Sequence, residues 1–109
     1  MKTIQVLAAI FCAGAAVLAP ACAQTTDPSL GRQLAETTCR SCHQIAPDKP
    51  ARNPDSKAPS FVAVSRMPST NELAIKVFLR TSHPTMPNLI LTPQESDSVA
   101  AYIVGLAKQ

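Results

Sequence analysis

Tryptophan is missing from this sequence, and one tyrosine and three phenylalanines are its only aromatic side chains. With so few rings, no run of basic residues and a formal charge of +3, there is no surface for stacking bases or following a phosphate backbone, and nucleic acid is excluded as a partner. No stretch of alternating apolar and polar residues meets a hairpin signal, and no internal repeat appears, so the fold is expected to be all-α. Nor does any apolar run reach the roughly 20 residues that cross a bilayer.

The longest such run, Ile4 to Leu18, follows Lys2 and ends in Pro20 and the small triplet Ala21-Cys22-Ala23. This is the pattern of a secretory signal peptide with a cleavage site after Ala23. A leader of residues 1–23 and a domain of residues 24–109 are expected, with export to the periplasm and no integral membrane span once the leader is removed. A competing reading makes Cys22 the lipid-modified first residue of a lipoprotein. Pro20, and a leucine one place too early at Leu18, fit that pattern poorly.

Cleavage removes Cys12 and Cys22 and leaves Cys39 and Cys42, so no structural disulfide is available beyond that pair. It also removes Lys2, leaving 9 basic against 7 acidic side chains. A single apolar core in so small a domain contributes only about 3–5 kcal/mol, and such domains usually need another source of stability.

Three helices are legible. Asp27-Pro28-Ser29 places a capping residue before a proline, with Leu30, Leu34 and Ala35 at helical spacing, which predicts a first helix from Pro28 to about Thr38. Ser69-Thr70-Asn71-Glu72 has the capping-box pattern ahead of an apolar stretch, which predicts a middle helix over 70–81 before Ser82-His83-Pro84 stops it. Thr92-Pro93-Gln94-Glu95 repeats the box, and Val99, Tyr102, Ile103 and Leu106 then lie on one face of a last helix. Between the first two, Pro47, Pro50, Pro54 and Pro59 rule out a long helix or inner strand and predict a surface loop.

Just after the first helix stands Cys39-Arg40-Ser41-Cys42-His43, the Cys-x-x-Cys-His attachment motif of a c-type haem. Two thiols three residues apart on one turn can each add to one vinyl group of a porphyrin, and the adjacent histidine then lies beneath the iron. One covalently bound haem would also supply the missing stability. His43 is the expected proximal ligand, through a neutral Nε2 whose partner nitrogen donates a hydrogen bond that orients the ring.

The sixth ligand has four candidates: Met86, Met67, His83, or no protein group, which leaves an open site. Met86 falls 43 residues after His43, inside Pro84-Thr85-Met86-Pro87, where two prolines stiffen an extended segment able to present a thioether. Met67 lies immediately before the middle helix and is expected to pack beside the haem. His83 also has the simpler role of a helix-terminal histidine favoured by the dipole.

From Pro28 to Ala107 the chain resembles the small bacterial class I cytochromes c, the mono-haem cytochrome c family. The likeness rests on Gly31, the Cys39–His43 motif, Met86-Pro87 after the middle helix, and Ala101-Tyr102-Ile103 in the last. It implies a cytochrome c-like fold of three main helices with Pro-rich loops wrapped around one haem, in which the first and last helices cross closely at Gly31 and Tyr102. It also implies that a proline carbonyl accepts the Nδ1 hydrogen of the haem histidine; Ala58-Pro59-Ser60-Phe61 occupies that place, with Ala58 where glycine is common. Pro59 and Phe61 are thus expected in the haem pocket. Lacking tryptophan, the chain leaves Ser60, Arg66 or backbone amides to meet the propionates.

The function expected is electron transfer, not catalysis: a periplasmic carrier exchanging single electrons with an oxidase, reductase or dehydrogenase through a haem held by His43 and Met86, as a monomer or a subunit. Phe61, Val64, Leu73, Val77, Phe78, Leu89 and Ile90 are its expected pocket walls, and Lys49, Arg52, Lys57, Arg66 and Arg80 could ring the exposed edge. The alternatives are a five-coordinate haem enzyme or gas sensor, and the haem subunit of a larger oxidoreductase. A dithiol or zinc role for Cys39 and Cys42 lacks the βαβ pattern of the one and the four well-placed ligands of the other.

Overall fold

The computed structural model describes residues 26–81 and 85–109. The leader, Cys12, Cys22 and His83 lie outside the described residues. Among the described residues there are four α-helices, α1 (Pro28–Thr37), α2 (Phe61–Ser65), α3 (Glu72–Arg80) and α4 (Pro93–Gly105), with short 3₁₀ turns at Cys39–Ser41 and Leu106–Lys108. Among the described residues there is no strand, only an isolated bridge between Ala46 and Lys49. The fold is all-α.

Local chemistry sets the helix starts. Asp27 caps α1 by accepting from the Ser29 amide at 2.8 Å, ahead of Pro28 in the first turn. At α4 both halves of the capping box are present: Thr92 Oγ1 accepts from the Glu95 amide, and the Glu95 carboxylate accepts from the Thr92 amide. Those bonds hold the Glu95 carboxyl below its usual range.

The middle helix starts later than its sequence pattern predicts. Its N-cap is Asn71, whose side chain accepts from the Ala74 amide at 2.9 Å, not Ser69. Competing bonds explain the shift, because the Thr70 amide donates to Met67 O and the Thr70 hydroxyl to Val64 O at 2.7 Å. Ser69 and Thr70 are thereby drawn into a turn against α2. That helix was not predicted at all. Ser60 caps it by accepting from the Ala63 amide at 3.1 Å, and five residues are too few to display a period.

The core lies where α1 and α4 cross. Ala35, Ile45, Phe61, Ile75, Val99, Ala100, Tyr102, Ile103 and Leu106 are buried together. All four residues of the predicted inner face of α4 are among them. Gly31 makes the crossing possible, since a β-carbon there would lie 2.0 Å from Ser98 O and 2.9 Å from Tyr102 Cβ. Tyr102 reaches across to donate its hydroxyl to Ile45 O at 2.9 Å, which fixes the segment just beyond His43 to α4. A Lys76–Asp97 ion pair at 2.8 Å joins α3 to the same helix.

Candidate haem site

The attachment motif follows α1 with almost no interruption. Cys39, Arg40 and Ser41 form one 3₁₀ turn, and the amides of Cys42 and His43 both donate back to Cys39 O. Winding the chain this tightly puts the two sulfurs on one turn and His43 directly after it. Cys39 is half-buried and Cys42 exposed, and neither is in a disulfide. Burial pushes the Cys39 thiol up to about 11, so it is a neutral thiol in the unmodified chain.

The Pro-rich loop is bonded to the motif rather than merely running past it. Arg40 O accepts from the Arg52 amide at 2.8 Å, Ser41 O from the Asn53 amide at 3.1 Å, and Cys42 O from the Ser56 hydroxyl at 2.6 Å. Three successive motif carbonyls are thus satisfied by one loop. Its side chains add a clamp: Arg40 pairs with Glu36 one helical turn back and donates from Nε to Pro50 O at 3.0 Å, while Arg52 donates to Glu36 O at 2.9 Å. The Arg40 guanidinium holds the Glu36 carboxyl below the ordinary glutamate range. Arg52 is therefore tied to α1. The one local sign of this clamp in the sequence is the i, i+4 spacing of Glu36 and Arg40, which says nothing of Arg52 or the loop.

The loop ends at Pro59, whose carbonyl oxygen lies 2.7 Å from His43 Nδ1. A carbonyl can only accept, so Nδ1 is the donor, and in the neutral ring Nε2 keeps its lone pair. Phe61 packs beside the imidazole, with ring centroids 5.2 Å apart and planes tilted by 43°.

His43 opens onto a cleft of about 320 Å³. Cys39, Pro59, Phe61 and Val64 line it from the motif side; Ile75, Phe78 and Leu79 from α3; Val99 and Ile103 from α4; and both Met67 and Met86 reach it as well. Apart from the histidine, the cysteine and two hydroxyls its lining is apolar. Cys42 stays at the surface.

Several expected walls are not walls. Leu73 and Val77 are 67% and 54% exposed, and Ile90 is fully exposed; none of these, nor Leu89, lines the cleft. With α3 docked on α4 through Lys76 and Asp97, Ile75 is buried and Phe78 and Leu79 reach the cleft, Phe78 at its open mouth where it is 57% exposed, while Leu73 and Val77 lie off it. Ile75, Phe78 and Leu79 stand at i, i+3, i+4, but Leu73 and Val77 form a second apolar pair at i, i+4, so spacing alone leaves two faces open and the docking selects one.

A haem suits these residues. Paired sulfurs on one turn, an imidazole whose free nitrogen is left basic, a thioether-bearing residue on the same cleft and apolar walls are the donor set and the environment a covalently held porphyrin iron needs. Among the described residues no group of three or more His, Cys, Asp or Glu side chains is arranged to hold another metal.

Comparison with known proteins agrees. A family model described as cytochrome c matches residues 28–107. A cytochrome c-552 from Bradyrhizobium diazoefficiens is 36% identical over 84 residues, spanning 77% of this chain and 79% of the relative. No solved structure gives a match.

Proposed function

The chain belongs to the cytochrome c family, and on that footing we propose that it is a diffusible electron carrier of the periplasm whose single haem c is bound through Cys39 and Cys42 and ligated by His43 and Met86. Proteins of this family carry one covalently attached haem and pass electrons to redox partners. The observation that most supports the ligand assignment is the 2.7 Å contact of His43 Nδ1 with Pro59 O, at the wall of an apolar cleft that Met86 shares.

When bound, the haem supplies a one-electron ferric/ferrous couple. The chain's own residues set how that couple behaves. Pro59 holds the Nδ1 proton of His43, which fixes the ring and increases electron density at Nε2. The Met86 thioether is a soft donor that favours the ferrous form, so the potential is raised. Phe61, Val64, Ile75 and Ile103 line the cleft with apolar groups and would keep water from a bound haem, while His43 and Met86 would both be taken up in holding it. That arrangement suits transfer without bond-making. The leader assigned to residues 1–23 carries the chain to an oxidising compartment, and among the described residues no helix is long and apolar enough to cross a membrane.

Mass spectrometry and visible absorption of the exported protein test this reading. A haem-sized mass that survives denaturation, loss of residues 1–23, and the weak far-red band of a methionine-ligated ferric haem are expected. A high-spin spectrum without that band would instead indicate a five-coordinate enzyme or sensor.

A further inference from the structure

The bond between His43 and Pro59 joins two segments 16 residues apart, and nothing in the Pro59 ring itself holds its carbonyl in place. On the far side of that bond the Phe61 amide donates to Gln44 O at 2.9 Å; on the near side the two segments are held by the hydroxyl of Ser56. It donates to Cys42 O at 2.6 Å and accepts from the Ala58 amide at 3.2 Å. One oxygen thus spans from the residue before His43 to the residue before Pro59. Its single proton and a lone pair are both engaged in the directions their chemistry allows.

The same bond shapes the turn at Ala58, the residue that leads into Pro59. Among the described residues no side chain-bearing residue has a positive φ, so the turn into Pro59 is made without left-handed backbone. The Ser56 hydroxyl, bonded two residues onward, supplies the local turn in its place. Asn53 steadies the start of the segment, its amide donating to Ser41 O and its side chain accepting from the Asp55 amide.

We infer that Ser56 is a positioning residue for the haem: its hydroxyl locks the Cys42–His43 segment to the Ala58–Pro59 segment and so sets the strength of the His43–Pro59 hydrogen bond and, through it, the reduction potential. This rests on His43 being the proximal ligand. A tighter Nδ1–H···O bond makes the imidazole more electron-rich and favours the ferric state; a looser one favours the ferrous state.

The test compares Ser56→Ala and Ser56→Thr in the haem-loaded protein, reading the midpoint potential and the proton NMR signal of the His43 ring N–H in the ferrous state. Ser56→Ala is expected to raise the ferrous-to-ferric ratio at fixed poise several-fold to tenfold, where tenfold corresponds to about 59 mV for one electron. It should also move the ring N–H upfield and speed its exchange. Ser56→Thr, which keeps the hydroxyl, should restore both. Should Ser56→Ala fail to mature, Ser56→Cys, with its weaker donor, is read in the same way. A merely structural serine would lower the urea midpoint but leave the potential and the ring N–H unchanged, and that result would overturn the inference. The ring N–H reports on the His43 side alone, so a missing far-red band in the unmodified protein would refute Met86 ligation without touching Ser56.

Discussion

Gly31 on α1 lies against the backbone carbonyl of Ser98 on α4 so closely that a β-carbon would stand 2.0 Å from its oxygen. The atom met is main chain and cannot rotate away, so any side chain forces the two helices apart. Since α1 leads directly into the attachment turn, and α4 supplies Val99 and Ile103 to the cleft, the crossing fixes the distance between two sides of the haem site.

Gly31→Ala should therefore destabilise the protein despite improving helix propensity. Overpacking costs about 1–3 kcal/mol, and a backbone clash belongs at the upper end of that range; the gain of about 1 kcal/mol from alanine in a helix offsets only part of it. Equilibrium urea unfolding should show a lower midpoint. An unchanged or higher midpoint would mean that the helices can separate freely.

Tyr102→Phe removes one hydroxyl from the core and leaves Ile45 O without that donor. Ile45 is buried, so water cannot readily replace it, and a loss of about 1–3 kcal/mol is expected. The haem spectrum should stay as it was, because the phenol is bonded to the backbone and not directed at the cleft. A spectral change would place Tyr102 in the site itself.

Replacing Met86 by alanine should leave the haem covalently attached while the far-red band disappears, the potential falls and the iron binds added small ligands such as cyanide or imidazole more readily. Losing Cys42 or His43 should instead impair maturation, read as a lower yield of haem-bearing protein. A Met86→Ala spectrum identical to that of the unmodified protein would remove Met86 as a ligand.

The capping box of α4 predicts a pH dependence. The Glu95 carboxylate accepts from the Thr92 amide and hydroxyl at 2.8 and 2.9 Å, which lowers its pKa in the folded state. Its contribution is therefore complete above the unfolded value, near 4.3, and is lost as the pH falls through the lower folded value. The difference in urea midpoint between the unmodified protein and Glu95→Gln should be present at neutral pH and shrink on acidification. A difference that is constant with pH would show that the charge on Glu95 plays no part.

Helix α4 and the attachment motif were legible because each is written in contiguous residues: a cap, a repeat of apolar positions, and a pentapeptide whose order alone carries its chemistry. Helix α3 was legible as a helix but not in its rotation. Leu73, Ile75, Val77, Phe78 and Leu79 give it apolar residues on more than one side, so periodicity could not say which would be buried. Its start was also misread, because Thr70 bonds to Val64 instead of entering the helix.

The sequence by itself determined that the chain is helical, where the two thiols and the histidine stand relative to one another, and that Gly31 and Tyr102 belong to the helix crossing implied by the family resemblance. Only the tertiary structure decided which face of α3 closes the cleft, that Glu36 and Arg52 clamp the Pro-rich loop, and that Ser56 bridges the two sides of the His43–Pro59 bond. The physical reason is range. Capping, helical period and the motif act over a few neighbouring residues, whereas bonds such as Tyr102 to Ile45 or Arg52 to Glu36 join positions brought together only when the core forms.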